Sequence, residues 1–169
     1  MTTPTLPQSE AQEAVRSEAQ AYADPTTLAL LRNDLRGLSK DAIGALVASL
    51  TERMGVDPAL APIDLIPDKS GALRVYINAR GASELAKRWD LSDSSLDVDI
   101  RDRVVIVQGT KTTPTGRTVR DVGAASYDPD RPDTLARAVK AATTSAHRRT
   151  TLRAVGIFLN EPEGSVLDA

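Results

Sequence analysis

Six Lys or Arg residues fall between Arg131 and Arg153, and a single acid, Asp133, stands among them. The densest part of that charge, KAATTSAHRRTTLRAVGI from Lys140 to Ile157, also holds His147, the only histidine in the chain. Guanidinium and ammonium groups at helical spacing, interleaved with threonine hydroxyls, suit the gripping of phosphate oxygens along a nucleic-acid backbone. Arg148 and Arg149 lead the candidate set, because each presents a planar fork of donors. Arg137, Lys140 and Thr144 cluster with Arg148 on one helix face, with His147 at its edge, and Arg153 completes the helical set. Arg101, Arg103 and Arg120, placed on strands, form a second tier. A merely solvated face would also carry such charge, but the shortage of paired acids weighs against that reading.

Composition closes off much other chemistry. The chain has no cysteine, which excludes disulfides, thiol nucleophiles and thiolate-bound zinc. One histidine leaves too few ligands for a histidine-built metal site. The stretch DVDIRD offers Asp97, Asp99 and Asp102 as magnesium ligands, yet only Asp97 and Asp99 share a strand face; alternating acids on a half-exposed strand explain it better. PDKSG lacks the glycines of a phosphate loop and reads as a turn. No catalytic residue, metal or cofactor is expected, and the protein is read as a non-enzyme. No apolar run approaches a membrane span, and the N-terminus lacks the basic start and apolar centre of a signal peptide. A cytoplasmic protein without membrane contact is the expectation.

The elements that must position these residues follow from periodicity. With 169 residues, 41% of them hydrophobic, the chain suits one domain with a core of Leu, Val, Ile and Ala. Residues 1–24 carry Glu10, Glu13, Glu18 and Asp24 against Arg16 and read as a flexible arm. Without that arm the chain is near neutral or slightly basic, so the overall acidity argues little against a nucleic-acid partner. Asp24 and Pro25 signal one helix start, and Ser39 a second that ends at Gly55. Residues 57–71 read as an irregular connection, residues 72–79 as a strand and residues 81–91 as a short helix. Residues 97–109 read as one long strand, with Val98, Ile100, Val104 and Ile106 on its inner face. A turn leads to a return strand over 117–127. The last helix runs from Pro132 to about Leu159, burying Leu135, Ala138, Val139, Ala142 and Ala146. Its geometry turns Arg149 and Arg153 toward the apolar side: either the helix shifts register near Thr150, or these arginines emerge where the apolar stripe ends, and the sequence leaves both open. The expected fold is α+β: a small antiparallel sheet (strand, helix, β-hairpin) packed against a long C-terminal helix, with N-terminal helices.

Three stretches together, RVYINARGASELAKR, GRTVRDVGA and KAATTSAHRRTTLRAVGI, resemble the phage single-strand annealing proteins of the RecT/Redβ/Rad fifty-two-like superfamily. The resemblance covers roughly residues 40 to 163 and is most specific in the last helix, which an acidic stretch, NEPEGSVLD, follows. It departs from the pattern at His147, where a lysine is usual, and at Thr150 and Thr151. It implies ATP-independent binding of single-stranded DNA and annealing of complementary strands in homologous recombination and repair. It implies a homo-oligomeric ring or filament, with a phage exonuclease or host single-strand binding protein as further partners. Together with the composition of the arm, it gives an expected division into a flexible arm at 1–24, an annealing domain at 25–163 and a tail at 164–169. A protein of another class, a structural or assembly protein meeting an acidic partner through the same basic helix, is the alternative.

Overall fold

Asp24 is the first residue described in a computed structural model that covers residues 24–157. It caps helix α1 (Pro25–Leu31), accepting the Thr27 N–H at 2.8 Å, with Pro25 in the first turn where its missing donor costs nothing. The last residue of the expected arm is thus a helix cap; its other residues and the 164–169 tail lie outside the described residues. Helix α2 (Lys40–Met54) starts at Ser39, whose hydroxyl accepts from Ala42 N at 3.2 Å, and stops at Gly55, where φ is 61°. Ser39→Ala removes that cap and is expected to cost about 1 kcal/mol in urea denaturation. A midpoint unchanged from wild type would show that the cap contributes nothing.

The connection at 57–71 is not irregular throughout. After a short 3₁₀ turn at Pro58–Leu60, Ile63–Pro67 forms strand β1, antiparallel to β2 (Leu73–Ile77) with Ile63 opposite Ile77. Pro62 precedes β1 and Pro67 ends it opposite Leu73, positions that an edge strand tolerates, and that punctuation hid the strand in the sequence. Asp68 closes the hairpin: its carboxylate accepts from the backbone N–H of Ser70 and Ala72 and pairs with Arg74. Those donors, led by the Ser70 hydroxyl, hold the Asp68 carboxyl down at about 2 against an ordinary 3.8. A depressed carboxyl stabilises the fold above its unfolded value and loses that contribution as pH falls from about 4 toward 2. An Asp68→Asn variant should therefore show a flatter acid-denaturation profile across that window, and an unchanged profile would contradict the assignment.

Asn78, at the end of β2, accepts from Gly81 N at 3.1 Å and so starts helix α3 (Ala79–Arg88). Its amide also donates to Ala61 O at 2.7 Å, tying the helix start to the loop before β1.

Residues 97–109, expected as one strand, are parts of two. Strand β3 (Ser92–Arg101) turns at Asp102 and Arg103, with φ of 47° and 66°, into β4 (Val104–Thr112). Positive φ at both central residues is what a two-residue hairpin turn requires. β5 (Thr118–Ser126) pairs on the other side of β4, giving a three-stranded meander separate from the β1–β2 sheet. The turn also reverses the expected faces. Because Arg101 lies opposite Val104, Val98 and Ile100 share a face with Val107 and Val105, not with Val104 and Ile106.

Helix α4 (Pro132–Ala154) lies across β4 and β5. Ala138, Ala142 and Ala146 pack on the buried Val105 and Val107, with Leu135 and Val139 beside them, as their helical spacing requires. Leu152, near its end, joins a second core made by α1, α2, β1, β2 and Leu85. One helix therefore belongs to both cores. The architecture is α+β, with four α-helices and two small antiparallel sheets among the described residues, and the long C-terminal helix packed on the larger sheet. No helix among the described residues is long and apolar enough to cross a membrane.

Candidate nucleic-acid interface

The three-stranded sheet covers one side of α4, and the opposite side of its first half stays open. Arg137, Lys140 and Thr144 are exposed there on adjacent turns. Arg137 reaches back one turn to Asp133 at 3.0 Å, an exposed pair of small energetic value. His147 follows Lys140 by seven residues on the same stripe and is half-buried. Within residues 24–157 there are 20 Lys or Arg against 17 Asp or Glu, so the described chain is slightly basic.

The same stripe continues to Arg148, but there it runs beneath β2. Arg148 is 2% exposed, and its guanidinium carbon stands 4.3 Å from the centroid of the buried Tyr76 ring. The residue placed first among phosphate contacts is thus a packed cation between helix and hairpin. Arg149 and Arg153 face the other way, toward the outer edge of β5. Arg149 Nη1 donates to Val122 O at 3.1 Å, and Arg153 Nη1 to Arg120 O at 3.4 Å, with Asp121 at 3.5 Å. Their turn toward the apolar side is resolved without a register shift: the stems cross the sheet margin and the heads satisfy backbone carbonyls. Arg101 and Arg120 lie on the sheet face turned away from α4, and Arg103 sits in the β3–β4 turn. Arg101 pairs with Asp99 at 2.6 Å. Of the nine expected contacts, the fold gathers Arg137, Lys140 and Thr144 on one open surface and disperses the rest.

One cation in this region escaped the sequence reading. Lys111, first assigned to a turn, is the last-but-one residue of β4, and its side chain is 2% exposed. Along β4 the helix-facing positions run Val105, Val107, Gly109, Lys111, so strict alternation from Val105, rather than from the expected Val104, places it inward. Its ammonium donates to Asp93 Oδ1 at 2.6 Å, and His147 Nδ1 stands 3.5 Å from the same oxygen. Asp93 is 65% exposed, so the carboxylate meets the buried lysine from the rim. Ser94 is the extra residue of a β-bulge there, where register passes from Asp93–Lys111 to Ser95–Thr110. These groups border a half-open cavity of about 360 Å³ between β3, β4 and α4, into which Thr143 and Thr150 also face. Burial, and then the nearby Lys111 charge, depress the His147 imidazole below its ordinary 6.5, against an opposing pull from Asp93.

Tyr76 and Trp89 both lie off the stripe. Tyr76 is buried under Arg148, and Trp89 borders an apolar groove of about 330 Å³ with Leu50, Met54, Leu85, Arg53 and Arg88. No family model matches the chain, and no curated protein matches it in sequence.

Proposed function

We propose that the protein binds single-stranded DNA by its phosphate backbone and anneals complementary strands without ATP, as an assembly of identical subunits. The observation that carries this reading is the open stripe of α4. Arg137, Lys140 and Thr144 follow one another on it, a form suited to tracking a backbone rather than reading bases. Among the described residues, the buried Tyr76 and the remote Trp89 place no stacking platform at the stripe, which leaves bases available to pair with a second strand. The resemblance of the last helix to phage annealing proteins points the same way.

If about three phosphates are neutralised per subunit, log affinity should fall against log salt with a slope near −2. Replacing Arg137 and Lys140 together by Ala should flatten that slope by roughly 1.4 and weaken oligonucleotide binding alike for all sequences. Both side chains are exposed, so folding should survive. A double variant that binds as wild type, at unchanged slope, would reduce the stripe to a solvated face.

Self-assembly has its own support. Leu96, Val98 and Ile100 lie on the helix-facing side of β3, but α4 covers β4 and β5 and leaves them exposed. β3 is an edge strand with this apolar row open, whereas the edge of β5 is clipped by Arg149 and Arg153. Open edges of this kind invite pairing. Val98→Lys should lower the mass seen by light scattering toward that of one chain. A wild-type protein already at one-chain mass, with and without DNA, would remove the assembly from the proposal.

A further inference from the structure

We propose that the cavity between β3, β4 and α4 is a phosphate subsite, in which the Asp93 carboxylate occupies the ligand's place until a phosphate oxygen replaces it on Lys111. This rests on the single-stranded DNA reading only for the identity of the natural ligand; the anion chemistry stands on the cavity itself.

A buried ammonium is costly without a compensating anion, and the sheet supplies none from within. Lys111 instead meets a carboxylate that enters from the exposed rim, on an edge strand, at a bulge. An ammonium has three donors, and Asp93 accounts for one at 2.6 Å. Thr143 lines the cavity from α4 with His147 Nδ1 at the mouth, while the Thr150 hydroxyl is committed to Ala146 O at 2.6 Å and serves as wall. A tetrahedral phosphate group offers more acceptor oxygens than the single carboxylate oxygen now shared by Lys111 and His147, and the half-open volume leaves room for it. The charged groups facing the site are Lys111 from β4, Asp93 from β3 and His147 from α4. The mouth also opens onto the basic stripe, since Lys140, Thr144 and His147 share one helix face. A strand tracking Arg137 and Lys140 therefore reaches the cavity within two helical turns.

The sole histidine makes the test clean, because His147 gives one set of imidazole signals in the NMR spectrum of the whole protein. Inorganic phosphate, at ionic strength matched with chloride, should raise the His147 pKa by about 1, since an added anion favours the imidazolium. Asp93→Asn removes the competing carboxylate and should bind phosphate and a single-stranded oligonucleotide about tenfold more tightly. Lys111→Met replaces the buried cation by an apolar chain of similar length and should abolish the phosphate response. An imidazole titration identical in phosphate and chloride, or no gain in Asp93→Asn, overturns the subsite whatever happens to Lys111→Met. Failure of the two readings can be told apart. A phosphate response without oligonucleotide binding keeps the anion site and ends the DNA proposal. Oligonucleotide binding that responds to Arg137 and Lys140, but to neither phosphate nor Asp93→Asn, does the reverse.

Discussion

Gly123→Ala is expected to destabilise the protein by about 3 kcal/mol or more. Gly123 lies in β5 directly beneath α4. A Cβ there would stand 2.1 Å from Ala142 O, 2.5 Å from Ala146 N and 3.0 Å from Ser145 Cβ. The first two are backbone atoms of the helix and cannot rotate aside, so the helix must lift from the sheet. Lifting it opens the contact of Ala138, Ala142 and Ala146 with Val105 and Val107, which forms the core between α4 and the three-stranded sheet. The melting temperature should fall by roughly 10 °C. Gly44→Ala serves as the opposite control: the position is helical, nothing lies within 4 Å of the added carbon, and stability should rise by about 1 kcal/mol. A Gly123→Ala protein melting within a degree of wild type would mean that α4 does not pack this closely.

Arg148→Ala should cost about 2–4 kcal/mol, because the side chain is buried between α4 and Tyr76 where the two cores meet. Its stem fills space as well as carrying charge, so Arg148→Met should recover part of the loss. Oligonucleotide binding by Arg148→Ala should fall only in step with its folded fraction, measured at several temperatures. A variant of wild-type stability that no longer binds would return Arg148 to the set of phosphate contacts. The comparison separates a residue that holds the binding helix in place from one that touches the ligand.

How far the site was legible depended on the range of each interaction. Caps at Asp24, Ser39 and Gly55 were readable because a helix end is decided by the backbone of a few neighbours. The apolar stripe of α4 was readable because helical spacing alone brings Leu135, Ala138, Ala142 and Ala146 to one side. The same spacing correctly set Arg137, Lys140, Thr144 and Arg148 on one face, and His147 at its edge. Strand faces were less secure. The hairpin turn at Asp102 and Arg103 lacks the usual glycine or asparagine pair, so β3 and β4 read as one strand and the faces assigned to Val104 and Ile106 slipped by one.

Which cations remain exposed was a question no local pattern could answer. Arg148 and Lys140 belong to the same helix stripe, yet one is buried because β2 and Tyr76 cross the helix at that level and the other is open because nothing does. Arg149 and Arg153 were drawn to the carbonyls of an edge strand nearly thirty residues or more away in sequence. Lys111 became the floor of a cavity only when a bulge in β3 brought Asp93 opposite it and α4 set His147 alongside. The sequence by itself determined the helices, most of their starts and the cationic stripe; the tertiary structure decided the strand pairing and which charges meet solvent. The physical reason is that secondary structure and side-chain spacing depend on neighbours within a few residues, whereas the exposure of a charge depends on which distant surface packs over it.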